Sequence, residues 1–217
     1  MQDFAALRVT MVDTQVRPSD VTQYPIIDAM LRIPREAFLP ERLREVAYAG
    51  ENLDIGGGRV VLAPRTLAMM LQHLDLHGDE LVLDVGCGLG YSSAVLARLS
   101  QQVVALEADA DMAADAEAAL SAREMHNVAV TTGPLAGGAP RFGPYDAMLV
   151  QGGVEQFPAA LADQLKEGGR VACLFVDGAL GECRIGHKLA GRIHWRAAFN
   201  AAAPVVEGFE KAREFVL

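Results

Sequence analysis

Beyond residue 80 the chain alternates short apolar runs with stretches of helical spacing. Residues 81–85 (Leu-Val-Leu-Asp-Val) predict a buried strand, followed by a glycine-rich turn and a helix over 91–99. Residues 103–106 predict a second strand, and Asp109 is placed to cap an alanine-rich helix running to about 123. Further strands are expected at 128–131, 145–150 and 170–175. The helix expected over 158–166 precedes Gly168 and Gly169, which read as its stop. Short strands separated by helices imply parallel strand–helix–strand units. The last part differs: residues 182–189, a turn at Ala190-Gly191 and residues 193–199 predict an antiparallel hairpin.

Residues 1–76 read instead as a helical and irregular extension before the α/β unit of 77–217, the two forming one compact body. Pro25 opens a helical pattern through Ile26, Ile27, Ala29, Met30 and Leu31. A short helix is expected over 41–48, then a loop over 50–58 that contains Gly56, Gly57 and Gly58. Pro64 opens a further helix to Leu74, with Leu67, Met70, Leu71 and Leu74 on one face. Phe209, Phe215 and Val216 are candidates to pack on the sheet or to shape an acceptor pocket.

Composition narrows the class. The 217 residues suit one domain, and 51% hydrophobic with 22% charged residues suits a chain with a sizeable core. No apolar run approaches the ~20 residues needed to cross a bilayer, and the first residues lack a secretory signal pattern, so a cytoplasmic protein without a membrane partner is expected. Cys87, Cys173 and Cys183 lie in apolar stretches and read as buried thiols; His73 and His77 lack supporting ligands, so no metal is expected. The net charge of −9 and the absence of a Lys/Arg cluster weigh against a nucleic acid partner.

The chemistry concentrates in Val82-Leu-Asp-Val-Gly-Cys-Gly-Leu-Gly-Tyr91. Gly86, Gly88 and Gly90 lie between a strand and a helix, where a backbone without Cβ atoms turns sharply against a ligand. The spacing is G-x-G-x-G rather than the G-x-G-x-x-G that cradles a pyrophosphate. Asp84, two residues before the first glycine, would repel a pyrophosphate but favour an ammonium, directly or through water. That polarity suits the methionine end of S-adenosylmethionine. Glu107 closes the next strand, 17 residues after Gly90, where an acid can accept two ribose hydroxyls. Gln151 falls at the carboxyl end of its strand, on the cofactor side, whereas Asp146 begins that strand at the opposite end. The fold expected from these features is a Rossmann-like α/β domain of the class I methyltransferase type, with a mostly parallel twisted sheet ending in an antiparallel hairpin.

Further residues carry a family resemblance over nearly the whole chain: 33–40 (Ile-Pro-Arg-Glu-Ala-Phe-Leu-Pro), Ala47-Tyr48, 53–58, Pro64, the glycine loop with Tyr91, Pro144-Tyr145-Asp146, and 164–169 (Gln-Leu-Lys-Glu-Gly-Gly). With these the chain resembles the protein-L-isoaspartate O-methyltransferases, which esterify the side carboxylate of isoaspartyl residues. The resemblance implies S-adenosylmethionine as cofactor and methyl transfer to a nucleophilic oxygen. It also implies that Gly133, Pro134 and Leu135 lie near the adenine, in place of the family's Gly-Asp-Gly.

The departures gather on the acceptor side. Leu62 stands where the family has an active-site serine, Arg59 where it has glutamine, Gly50 where it has an acid, and Asp54 where it has proline. Arg59, Leu62 and Arg65 are therefore the candidate acceptor residues, the arginines as partners of an acid group or as solvated surface charges. The leading expectation is a methyltransferase with a diverged acceptor, either a protein or peptide carboxylate or a small molecule. Alternatives are an authentic isoaspartyl repair enzyme and a catalytically silent binding protein. No catalytic residue is assigned.

Overall fold

The computed structural model describes residues 2–211. The chain opens with α1 (Phe4–Met11), capped by the Asp3 carboxylate on Ala6 N, and continues through a wide turn over Val12–Val16. α2 is Tyr24–Arg32, with Pro25 in its first turn as expected. Short 3₁₀ segments follow at Arg35–Phe38 and Glu41–Val46. The loop expected over 50–58 is instead a small antiparallel hairpin, β1 (Leu53–Gly56) and β2 (Arg59–Val61). Gly56, Gly57 and Gly58 form its turn and all have positive φ, a conformation that side chains resist. α3 (Pro64–Leu74) buries Leu67, Met70, Leu71 and Leu74, the face read from the sequence.

The main sheet is built from β3 (Leu81–Val85), β4 (Gln102–Glu107), β5 (Val128–Thr132), β6 (Tyr145–Val154), β7 (Leu165–Asp177), β8 (Leu180–Leu189) and β9 (Arg192–Asn200). Its order is β5-β4-β3-β6-β7-β8-β9; β3 to β7 are parallel, while β8 and β9 are antiparallel additions at one edge. The expected hairpin is thus part of a three-strand meander, because β7 also turns directly into β8. α4 (Tyr91–Leu96), α5 (Ala110–Ser121) and α6 (Ala159–Gln164) fill the crossovers.

Strand alternation divides the core in two. Val82, Val103, Ala147, Leu149 and Ala172 face a layer that includes Met11, Ile26, Met30, Leu71 and Val95. Leu83, Val85, Val104, Met148 and Val150 face the other way, toward Leu161, Val206 and Phe209. The N-terminal helices therefore share one core with the sheet. Phe209 packs on the sheet as anticipated; Phe215 and Val216 lie outside the described residues.

One helix ends earlier than the Gly168-Gly169 signal suggests. α6 stops at Gln164, and residues 165–169 already belong to β7, with Gly168 at φ +81°. Lys188 from β8 explains the early stop: its Nζ donates to the carbonyls of Ala162 and Leu165, both at 2.7 Å, satisfying helix-end acceptors. Among the described residues no helix is long and apolar enough to cross a membrane.

Candidate cofactor-binding site

The chain order reverses between β3 and β6, and the carboxyl ends of β3, β4 and β6 meet there, where open α/β sheets hold ligands. The loop after β3 turns on Gly86, Gly88 and Gly90, at φ +76°, +56° and +92°. Gly86 N and Cys87 N both donate to Leu106 O, at 2.7 and 3.1 Å, tying the loop to the end of β4. The space above Gly88 is tight: a Cβ there would lie 2.9 Å from Ile55 Cδ1 of the hairpin.

Glu107 is buried at the end of β4. Its Oε2 accepts from Gly88 N at 2.7 Å and from Arg59 Nη2 at 3.2 Å, while Oε1 accepts from Ala108 N at 2.8 Å. A carboxylate held at a strand end has lone pairs suited to a vicinal diol, provided the arginine gives way.

Asp84, expected to favour an ammonium directly or through water, already has protein partners on both oxygens. It is fully buried, and its Oδ2 accepts the hydroxyls of Ser92 and Ser93, both at 2.6 Å. Its Oδ1 accepts from Gln151 Nε2 at 3.0 Å. Burial raises the Asp84 pKa above the ordinary 3.8, opposed by these three donors. Asp84 thus ties β3 to the start of α4 and to β6. Sequence reasoning passed over Ser92 and Ser93, although two hydroxyls in the first turn after the glycines were the available signal.

Tyr91 also points elsewhere than the loop. Its ring lies 6.1 Å from that of Phe38, and the Arg35 guanidinium sits 4.9 Å from its centroid, deep in the N-terminal core. Arg35 itself is fully buried and donates to Ala47 O at 2.7 Å and Leu62 O at 2.9 Å. It thereby fixes the backbone that leads from β2 into α3.

Gly133, Pro134 and Leu135 follow β5, and Gly133 N donates to Glu107 O at 3.1 Å. They line a cleft of about 570 Å³ together with Ala108, Ala136 and Glu207. A second cavity of about 360 Å³ continues it past Ala108, Leu135 and Glu207 to Glu107, Arg59 and Gly58. Small-molecule sites occupy roughly 300–1,000 Å³, so the combined cleft suits a nucleoside-sized ligand. Glu207 is a carboxylate that the sequence offered no motif to find. A larger cavity of about 810 Å³ lies beyond β7, lined by Glu155, Asp177, Leu180 and Arg184 and by none of the loop glycines. It has the volume but not the chemistry.

The acceptor candidates separate sharply. Arg65 is exposed in the first turn of α3, a solvated charge. Leu62 is 1% exposed and belongs to the core packed around Leu67 and Tyr91. Arg59 is neither solvated nor on an outer wall: at 7% exposure it crosses the glycine loop, where Nη2 donates to Gly86 O and to Glu107.

These residues fit S-adenosylmethionine. Gly86 O can accept from an ammonium, Glu107 from ribose hydroxyls, and Ala108, Pro134 and Leu135 offer apolar walls to a purine, with Arg59 the side chain in the way. A model of the protein-L-isoaspartate(D-aspartate) O-methyltransferase family matches residues 9–177. The chain is 42% identical over 168 residues to protein-L-isoaspartate O-methyltransferase 1 of Rhodopseudomonas palustris, covering 77% of this chain and 69% of that one. It is 40% identical over 171 residues to the protein-L-isoaspartate O-methyltransferase of Syntrophus aciditrophicus, covering 79% and 78%. Among solved structures, a protein-L-isoaspartate O-methyltransferase superposes with a TM-score of 0.81 at 24% identity, over 95% of this chain and 66% of that one. A Plasmodium falciparum chain assigned to the same family, in complex with S-adenosyl-L-homocysteine, superposes with a TM-score of 0.79 at 18% identity, over 95% and 99%. At those identities the two structures establish the fold, and the sequence matches establish more: this chain belongs to the protein-L-isoaspartate(D-aspartate) O-methyltransferase family of S-adenosylmethionine-dependent methyltransferases.

Proposed function

We propose that the chain transfers a methyl group from S-adenosylmethionine to a carboxylate, on a protein, peptide or small molecule, that differs from the isoaspartyl side chain. The observation that carries this reading is Leu62. At the position of the family's serine it offers no hydrogen bond, and its side chain is packed into the core. An acceptor positioned by a hydroxyl there has no counterpart in this chain.

The bound cofactor supplies an activated methyl on a sulfonium. Glu107 would hold the ribose hydroxyls and Gly86 O the ammonium. Ala108, Pro134 and Leu135 would wall the purine, and Glu207, which lines the same cleft, would offer its amino group a carboxylate in place of the acid missing at 134. Asp84, Ser92, Ser93 and Gln151 set the geometry of the loop without touching the reaction. An acceptor carboxylate is already ionised near neutral pH, so no side chain is needed as base. What remains for the protein is alignment and removal of water.

Retained isoaspartyl repair is the competing reading, and it is supported by the names and 40–42% identity of the relatives. Labelled-methyl transfer to an isoaspartyl peptide beside its aspartyl twin decides between them. The proposal expects neither peptide to be labelled by protein shown to bind the cofactor. Base-labile label on the isoaspartyl peptide alone would replace it with the repair reading.

A further inference from the structure

Arg59 stands on β2, yet its guanidinium lies inside the glycine loop. Nη2 donates to Gly86 O and, at 3.2 Å, to Glu107 Oε2. A Cβ on Gly86 would collide with the guanidinium, so the side chain lies directly against the loop backbone. The carbonyl and the carboxylate it uses are the two acceptors that the ammonium and the ribose of S-adenosylmethionine require. The seat suits Arg59 in charge but poorly in hydrogen bonding. Among the described residues Nε and Nη1 are buried with no acceptor, and unpaired buried donors destabilise the arrangement that buries them.

From this geometry we infer that Arg59 is an internal competitor of the cofactor. The guanidinium and the cofactor exclude one another. Two cations sharing one buried acidic seat repel each other, and the atoms overlap. Cofactor binding therefore turns Arg59 out of the loop toward the acceptor side. The space beside the hairpin tip that precedes Arg59 is open: at Gly56 and Gly58 a Cβ would meet nothing within 4 Å. A binding order follows, with cofactor first, because the cation nearest the acceptor side is housed in the cofactor's seat until then. The inference rests on the cofactor reading of the cleft and is independent of which acceptor is methylated.

The test is calorimetric titration of S-adenosylhomocysteine into the wild-type chain, Arg59→Ala and Arg59→Gln, with melting scans of each as a check of folding. Removing the competitor should tighten binding about tenfold, since an occluded site weakens apparent affinity by the fraction of competent protein. Adding methylguanidinium should weaken binding to Arg59→Ala while leaving the wild type unaffected. If both variants unfold, the wild type still answers: phenylglyoxal should modify Arg59 faster when S-adenosylhomocysteine is saturating. Equal or weaker binding by the variants, or slower modification of Arg59 with ligand bound, overturns the inference. Absence of S-adenosylhomocysteine binding by every form, wild type included, overturns the cofactor reading along with it.

Discussion

The glycine loop with its two strand ends, residues 82–107, and the hairpin with its exit, residues 53–65, face each other across the same cleft but are built on opposite terms. In the first region the two buried carboxylates are matched: Asp84 has two serines and a glutamine, and Glu107 has backbone N–H groups, while the Tyr91 hydroxyl, turned into the N-terminal core, has no partner among the described residues. In the second, Arg59 has donors unpaired among the described residues and position 62 is apolar core. A satisfied polar network holds one geometry, whereas an unsatisfied one is ready to exchange partners. On the proposed reading the glycine-loop side is the more fixed of the two, and the hairpin side is where the acceptor chemistry differs.

The strongest way to break this contrast is to damage the glycine-loop side. Glu107→Ala should raise the Kd for S-adenosylmethionine about 100-fold, because two hydroxyl-to-carboxylate bonds worth ~1.5 kcal/mol each are lost. Titration calorimetry measures it, and unchanged affinity would remove Glu107 from the site. On the other side, Leu62→Ser should lower stability by about 2–4 kcal/mol, since it deletes buried methyl groups and buries a hydroxyl. Urea unfolding reads this. A neutral effect on stability would show that position 62 is not core, whereas isoaspartyl methylation appearing in the variant would tie the changed acceptor to the missing hydroxyl.

Smaller effects sharpen the picture. Glu207→Ala should weaken cofactor binding about fivefold, the loss of one exposed hydrogen bond of ~1 kcal/mol. Arg65→Ala should leave both stability and acceptor KM unchanged to within about 0.5 kcal/mol, as expected of a solvated charge. The subtlest concerns pH. The folded chain binds the Asp84 proton more tightly than the unfolded chain, whose pKa is near 3.8, so this group's contribution to stability is greatest at low pH. It declines as pH rises through the interval above that value. Asp84→Asn should flatten the decline in urea midpoints measured upward from about pH 4. An unaltered pH profile would show that Asp84 ionises in the fold as it does in water.

Legibility followed the range of the interactions. The glycines, Glu107 and the strand–helix alternation are local patterns, and the structure places them where their spacing predicts. α1 was also written locally, in Asp3 as cap and Phe4, Leu7 and Met11 at helical spacing, and the sequence reading passed over it. The early end of α6 was not local: it depends on Lys188, 22 residues beyond Lys166. Arg59 was the hardest case. Its charge suggested a partner for an acid group or a solvated surface charge, but its place against Gly86 and Glu107 arises only when the hairpin folds over β3 and β4. A single arginine on a short strand carries no sequence signal that it will be buried.

The most direct test of the account is a structure of the chain with S-adenosylhomocysteine bound. The account predicts the ribose hydroxyls on Glu107, the amino group on Gly86 O, and the Arg59 guanidinium outside the loop. Arg59 still seated on Gly86 and Glu107 beside a ligand bound elsewhere would contradict it.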